Sequence, residues 1–145
     1  MKISLLIFGG IAILVGALLL PLPSDVVTSH YSTLSVARTA QLFERGWLPD
    51  ILPPSTFNIR TSNDLDINIS DGEFSFVTAE WPLLQAKLLH GVLPAPFVNW
   101  EGTVGNYKKN GFTALNYIDG DTKWVFFCKP EQGYCEYDMW LIRKG

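Results

Sequence analysis

Three residues that could bind a ligand, Asp64, Asp66 and Asn68, stand at every second position, which is how a calcium-binding loop begins. Such a loop also needs a glycine at its sixth position and a glutamate at its twelfth. This chain has Ile69 and Ser75 there, so the sequence predicts no calcium loop. On a strand, the three side chains would share one face, where they either contact a polar ligand or remain solvated. We treat them as candidate contacts for a ligand or partner.

Other reactive side chains do not form a recognisable catalytic set. A carboxylate pair for acid–base catalysis could be drawn from Asp64, Asp66, Glu73 or Glu101, but no spacing singles one pair out. His30 and His90 belong to no motif, and the sequence has neither a serine elbow nor a phosphate-binding glycine loop. We therefore predict no catalytic residue, no metal site and no cofactor, and a carboxylate-dependent hydrolase is the less favoured alternative.

The five tryptophans offer a second kind of contact. Trp81, Trp124 and Trp140 lie within apolar patterns that predict the core. Trp47 and Trp100 lie in connecting segments, so they are the candidates for contact with a partner or a ligand. Packing in the core or at its boundary is nevertheless the favoured interpretation for both, and contact is the alternative.

Cys128 and Cys135 flank a four-residue loop that begins with Pro130 and ends with Gly133. If the residues next to the loop pair as a hairpin, the two cysteines face each other and can form a disulfide bond. A two-cysteine metal or redox site is the alternative, but metal pairs favour closer spacing. The disulfide indicates an oxidising compartment.

The overall composition limits the class of protein. The chain has 145 residues, enough for one domain, and a formal net charge of −3. It has no basic stripe, which argues against a nucleic-acid partner.

The amino-terminal segment predicts export. Ile3–Leu20 carries no charge, and its length of about 18 residues is close to that of a membrane span. We predict a signal anchor over residues 1–23, with Lys2 in the cytoplasm and an exported domain over residues 24–145. A cleaved signal peptide is the alternative, but the segment has no small-residue cleavage site. One face could pack against a partner helix through Gly9, Ala12 and Gly16.

Periodicity predicts the elements of the exported domain. A helix is expected from Ser24 or Thr28 to Arg45, ending at Gly46. Alternation over residues 57–70 predicts a strand, with Asp71-Gly72 as the turn of a hairpin. A second helix is expected over Thr78–His90. The later short β-rich runs predict an antiparallel meander, and they read TVGNY, FTALNYI, KWVFFC and YCEYDMWLI. The predicted fold is therefore α+β, with two helices packed on an antiparallel sheet.

Residues 46–76 also contain a sequence pattern that resembles that of a known protein family. The order GWLPxxLPxS, NDLDxN and FxF, over residues 46–76, resembles a family of uncharacterised bacterial envelope proteins with one amino-terminal membrane span. This chain differs from the pattern at Thr56, where alanine is expected, and at Asn63, where histidine is frequent. The resemblance implies an envelope location and the same order of elements, and it implies no reaction.

These observations favour a non-catalytic role. We expect a single-pass protein of the bacterial cytoplasmic membrane whose exported domain binds another envelope protein or takes part in an envelope assembly. The alternative is a receptor for a small ligand or a cell-wall fragment that uses Trp47, Trp100 and the Asp64, Asp66, Asn68 group.

Overall fold

A computed structural model describes residues 25–142, and its main element is a seven-stranded antiparallel sheet. In chain order the strands are β1 (Val26–Thr33), β2 (Phe57–Asp64), β3 (Ile69–Ser75), β4 (Leu89–His90), β5 (Thr113–Asp119), β6 (Thr122–Lys129) and β7 (Tyr134–Leu141). The α-helices are α1 (Leu34–Thr39), α2 (Trp81–Gln85) and α3 (Trp100–Lys109). Short 3₁₀ turns cover Thr78–Glu80 and Pro130–Gln132.

The sheet consists of two meanders that meet at one pair of strands. Its spatial order is β1-β2-β3-β7-β6-β5-β4, so β3 and β7 form the seam. Their register runs from Ile69 opposite Trp140 to Ser75 opposite Tyr134. The strands at the two ends of the order, β1 and β4, are the edges among the described residues.

The two faces of the sheet are covered unequally. The face that we call the inner face carries Tyr31, Ile59, Phe74 and Tyr137, and it packs against α1, α2 and the segment between α1 and β2. On the opposite face, the outer face, α3 and residues 92–97 cover β6, β7 and neighbouring residues. The outer-face side chains of β1, such as Thr28 and His30, are exposed, and those of β2 are exposed, as at Arg60, or partly exposed.

The predicted α+β class is wrong, because the described residues form mainly a sheet with a few short helices. The first predicted helix, Ser24 or Thr28 to Arg45, is the strand β1 followed by the short helix α1. Residues of β1 are largely β-branched or small and polar, and they pair along the whole of β2. The helix begins only at Leu34, where the Thr33 hydroxyl accepts the N–H of Val36 at 3.2 Å.

The first hairpin exists, but its predicted turn is wrong. The chain turns at residues 65–68, and Gly72 lies within β3. Asp64 Oδ1 accepts the N–H groups of Asp66 at 3.1 Å and Ile67 at 3.4 Å, which closes the turn. Asn68 completes it in the left-handed conformation, with φ 53°.

The other predicted helices also differ from the structure. Within the predicted helix Thr78–His90, helical structure stops at Gln85, and the last two residues of the predicted range form β4. The TVGNY run, predicted as β-rich, lies in α3. Two glycines give α3 a low intrinsic helix propensity, so burial of Trp100 and Val104 stabilises it instead. The meander of β5, β6 and β7 is confirmed.

The predicted signal anchor over residues 1–23 lies outside the described residues, as do Gly9, Ala12 and Gly16. Within residues 25–142, no helix is long and apolar enough to cross a membrane.

The predicted disulfide is confirmed. Lys129 pairs with Tyr134, and the next pair along the two strands is Cys128 with Cys135, whose sulfur atoms are 2.07 Å apart. Gly133 takes φ 58° at the end of the loop, which suits a glycine. Both cysteines are fully buried on the inner face, so the bond joins β6 to β7 within the core.

Replacing both Cys128 and Cys135 by alanine should lower the free energy of unfolding by about 2–3 kcal/mol, because the bond closes a short loop in the unfolded chain. Urea denaturation of the purified protein measures this. Equal stability of the wild-type and variant proteins, or free thiols in the unreduced protein, would contradict it.

A close approach between strands explains the position of Gly72. A Cβ atom there would collide with the backbone carbonyl oxygen of Arg60 and would lie 2.9 Å from the Tyr137 ring. A glycine inside a strand is therefore needed because the space is filled, even though it weakens β propensity.

Gly72→Ala should destabilise the protein by about 1–3 kcal/mol through overpacking. Gly105→Ala in α3 is the matched control. Its Cβ would meet no atom within 4 Å, and alanine favours a helix, so stability should stay equal or rise. Thermal unfolding of both variants tests the contrast, and similar stability of the two would contradict it.

Candidate functional site

The first group of predicted contacts forms a turn. Asp64, Asp66 and Asn68 lie at the β2–β3 turn, where the Asp64 carboxylate binds backbone N–H groups. Asp66 and Asn68 are exposed, and the three do not form a row on a strand. Among the described residues, no group of three or more His, Cys, Asp or Glu side chains is arranged to hold a metal ion.

The structure places Trp100 in the core of the outer face. It is 9% exposed, and its indole N–H donates to the Leu93 carbonyl at 3.0 Å. Its ring packs edge-on against Phe127 and Trp140. This position favours the packing interpretation for Trp100. Glu101, a candidate for acid–base chemistry, is exposed in the first turn of α3.

Trp47 lies in a different setting, at the boundary between core and solvent. It is half-buried against the inner-face core, and its carbonyl accepts the Trp124 indole N–H at 3.1 Å. It also lines a pocket of about 460 Å³ beside β1, which we call the Trp47 pocket. The lining residues are Val27, Ser29, Arg45, Trp47, Asn63 and Leu65.

Behind the Trp47 pocket lies a chain of buried polar groups. The Ser70 hydroxyl donates to the Asn63 side-chain oxygen at 2.6 Å and lies 3.2 Å from the Tyr137 hydroxyl. Thr61, between Ile59 and Asn63 on the same face, is 2% exposed, and its hydroxyl has no hydrogen-bond partner in the structure. One wall of the pocket is therefore polar and preorganised, while Trp47 provides an aromatic wall.

On the outer face, the seam between β3 and β7 brings four acidic residues together. Asp71 lies opposite Asp138, and Glu73 lies opposite Glu136. We call these four residues the carboxylate cluster. Like charges placed opposite each other on neighbouring strands destabilise a sheet, so this arrangement carries a cost in stability.

Part of the carboxylate cluster lines an open groove of about 610 Å³ over the exposed part of the sheet. The groove is lined by Thr28, Ser29, His30, Arg60, Thr61, Ser62, Asp71, Gly72, Glu73 and Glu136.

Nearby polar groups partly compensate the repulsion. The Tyr134 hydroxyl donates to Glu73 Oε2 at 2.5 Å, and Arg60 Nε lies 3.6 Å from Glu73 Oε1.

Burial, together with the negative charges of Glu136 and Asp138, raises the pKa of Tyr107 above its ordinary range. Tyr107 therefore stays protonated beside the cluster.

Proton binding is also shifted within the cluster. Burial, followed by the charges of Asp71 and Glu136, raises the pKa of Asp138 to about 6. Burial raises the pKa of Asp71 as well. Near pH 6 the Asp138 carboxyl group is therefore only partly ionised.

Sequence reasoning missed the cluster, although a signal was present. In both segments, DGE and EYD, two acidic residues are separated by one residue, which places both on one face of a strand. The register between β3 and β7 brings the two pairs together. That register cannot be predicted from a local sequence pattern.

The comparison with protein families gives one match. Residues 25–75 match the model of the YbbD head domain. The match runs from the start of β1 to the end of β3, so it covers the amino-terminal meander. It supports similarity to a bacterial family, and it tests neither the GWLPxxLPxS signature nor the membrane span. No curated protein and no solved structure matched the chain.

Asp138→Asn should change the dependence of stability on pH. A carboxyl group binds its proton more tightly in the folded protein when folding raises its pKa from 3.8 to about 6. The wild-type protein therefore loses stability as the pH rises from about 4 to 6, and the loss persists above pH 6. The asparagine variant lacks this loss and should be more stable at pH 7.5, by up to about 3 kcal/mol.

Urea denaturation between pH 4 and pH 8 measures the effect. Glu44→Gln, which removes one exposed charge beyond α1, controls for the change in net charge. Asp138→Asn and wild-type curves that remain parallel across this range would contradict the prediction.

Proposed function

We propose that the domain is a non-catalytic protein-binding module that acts outside the cytoplasm as part of an envelope assembly. One observation carries the proposal, which is the unequal covering of the sheet. Helix α3 and residues 92–97 cover much of the outer face of β5–β7, whereas β1 and β2 leave most of their outer face exposed. The edge strand β1 is eight residues long. An exposed sheet face next to a long edge strand is a typical surface for association with another protein.

The disulfide supports the extracytoplasmic location. Stable disulfides in a protein core are typical of proteins that fold in oxidising compartments. Cys128 and Cys135 are the two cysteines of the chain, and both are used in this bond. An envelope location also agrees with the resemblance noted for residues 46–76.

The alternative function is the binding of a small ligand or a cell-wall fragment in the Trp47 pocket. Its support is the half-buried indole of Trp47 next to the polar side chain of Asn63, since aromatic rings and amides together suit sugars and short peptides. A carboxylate-dependent hydrolase is less well supported. The carboxylate cluster lies along an open groove rather than in an enclosed pocket that would exclude water.

A photo-crosslinking amino acid, benzoylphenylalanine, tests the main proposal when it replaces Thr28 on the exposed outer face. In native membranes, the Thr28 variant should give a discrete crosslinked product with another protein, because that side chain would lie in the interface. The same replacement at the exposed Lys109, at the end of α3, is the matched control and should give no such product.

Electrophoresis and peptide mass fingerprinting identify the products. Absence of any crosslinked protein at Thr28, or the same set of products at Thr28 and Lys109, would contradict the proposal. Saturable binding of a cell-wall fragment without any protein product would favour the small-ligand alternative.

A further inference from the structure

We propose that the partner adds an extended strand to the edge of β1 and places a carboxylate side chain in the Trp47 pocket, against Arg45. The inference rests on the proposed protein-binding function, and it specifies the chemistry of the partner. Strand addition provides affinity through backbone hydrogen bonds, and pockets beside the edge provide specificity through alternate side chains.

The edge of β1 is unusually well suited to strand addition. Over residues 27–33, β2 is the one described strand that pairs with it. Its sequence, VVTSHYST, contains no lysine, glutamate, aspartate or proline, which are the residues that normally protect an exposed edge from pairing. By contrast, the opposite edge, β4, has only two residues.

The Trp47 pocket lies where side chains of an added strand would enter. Val27 and Ser29 project from β1 on the inner face, opposite Asn63 and Thr61 of β2, and both line the pocket. A strand paired with β1 would place its inner-face side chains about 5 Å from those of Val27 and Ser29. One such side chain would therefore extend toward Trp47 and Arg45.

Charge determines which side chain fits. No carboxylate among the described residues forms an ion pair with Arg45, whereas Arg38 and Arg60 each pair with one. An arginine at the rim of a half-apolar pocket favours a carboxylate, which it can bind through two hydrogen bonds. The aliphatic part of a glutamate side chain would pack on Trp47.

The same argument favours a different protein over a second copy of this chain. Two copies that paired through β1 would bring Val26–Thr33 of each against the other. That segment has no acidic residue to place in the pocket. A second copy would also leave two arginines without partners at one interface, which is unfavourable.

Binding of a designed peptide to the full-length protein tests the inference. The probe is a fluorescein-labelled, carboxy-terminally amidated hexapeptide, Thr-Val-Glu-Val-Thr-Val, measured by fluorescence anisotropy. We expect saturable binding, and at least tenfold weaker binding when the glutamate is replaced by glutamine or lysine. Arg45→Gln should weaken binding of the glutamate peptide at least tenfold and make the glutamate and glutamine peptides bind alike.

The control variant is Lys109→Gln, which removes one exposed positive charge on α3 and should leave peptide binding unchanged. Two further peptides test the backbone contacts. Each peptide carries methyl groups on every second backbone nitrogen, and the two peptides differ in which alternate set is methylated. Only alternate N–H groups of an added strand face β1, so one methylated peptide should lose binding and the other should keep it.

Two results would overturn the inference. Equal binding of both methylated peptides would exclude strand addition, and equal effects of Arg45→Gln and Lys109→Gln would exclude the arginine–carboxylate contact. If either occurs while Thr28 still crosslinks to a discrete protein, the proposed function stands and only this inference fails. Loss of both peptide binding and the Thr28 crosslink would contradict both.

Discussion

The pairing of β3 with β7 is the interaction on which the remaining architecture depends. It joins an amino-terminal meander to a carboxy-terminal one, and so it converts two small sheets into one. The seam also sets the positions of Phe74 opposite Cys135 on the inner face and of Asp71 opposite Asp138 on the outer face.

Tyr137 shows how closely the seam is packed. Its side chain is 2% exposed, its ring contacts Phe126, and its hydroxyl lies 3.2 Å from that of Ser70. The absence of a side chain at Gly72 leaves room for the ring beside β3. The packing that holds β3 to β7 thus extends to the buried polar groups behind the Trp47 pocket, so the pocket wall and the core are built together.

Local signals in the sequence predicted some parts of the molecule well. The disulfide followed from loop chemistry, since Pro130 and Gly133 suit the tight connection that places Cys128 opposite Cys135. The meander of β5–β7 followed from β-rich runs separated by turn residues. These features depend on neighbours in the sequence, which is why a local pattern contains them.

The parts that were missed depend on contacts between distant residues. Asp71-Gly72 has the composition of a turn, but the proximity of Arg60 and Tyr137 requires a glycine within the strand. Helix α3 has weak intrinsic propensity and forms because Trp100 and Val104 are buried. For the candidate site, Trp47 was identified from its connector position, whereas Arg45 and the carboxylate cluster were not, because their neighbours come from other strands.

The central claim is that, among the described residues, β1 presents an open edge, whereas β6 and β7 are each paired on both sides. Amide hydrogen exchange in the purified full-length protein tests it most directly. Alternate amides of β1 should exchange rapidly because they point away from β2, while the paired amides of β6 and β7 should exchange only on global unfolding. Protection of every β1 amide to the level of β6 and β7 in the isolated protein would contradict the account.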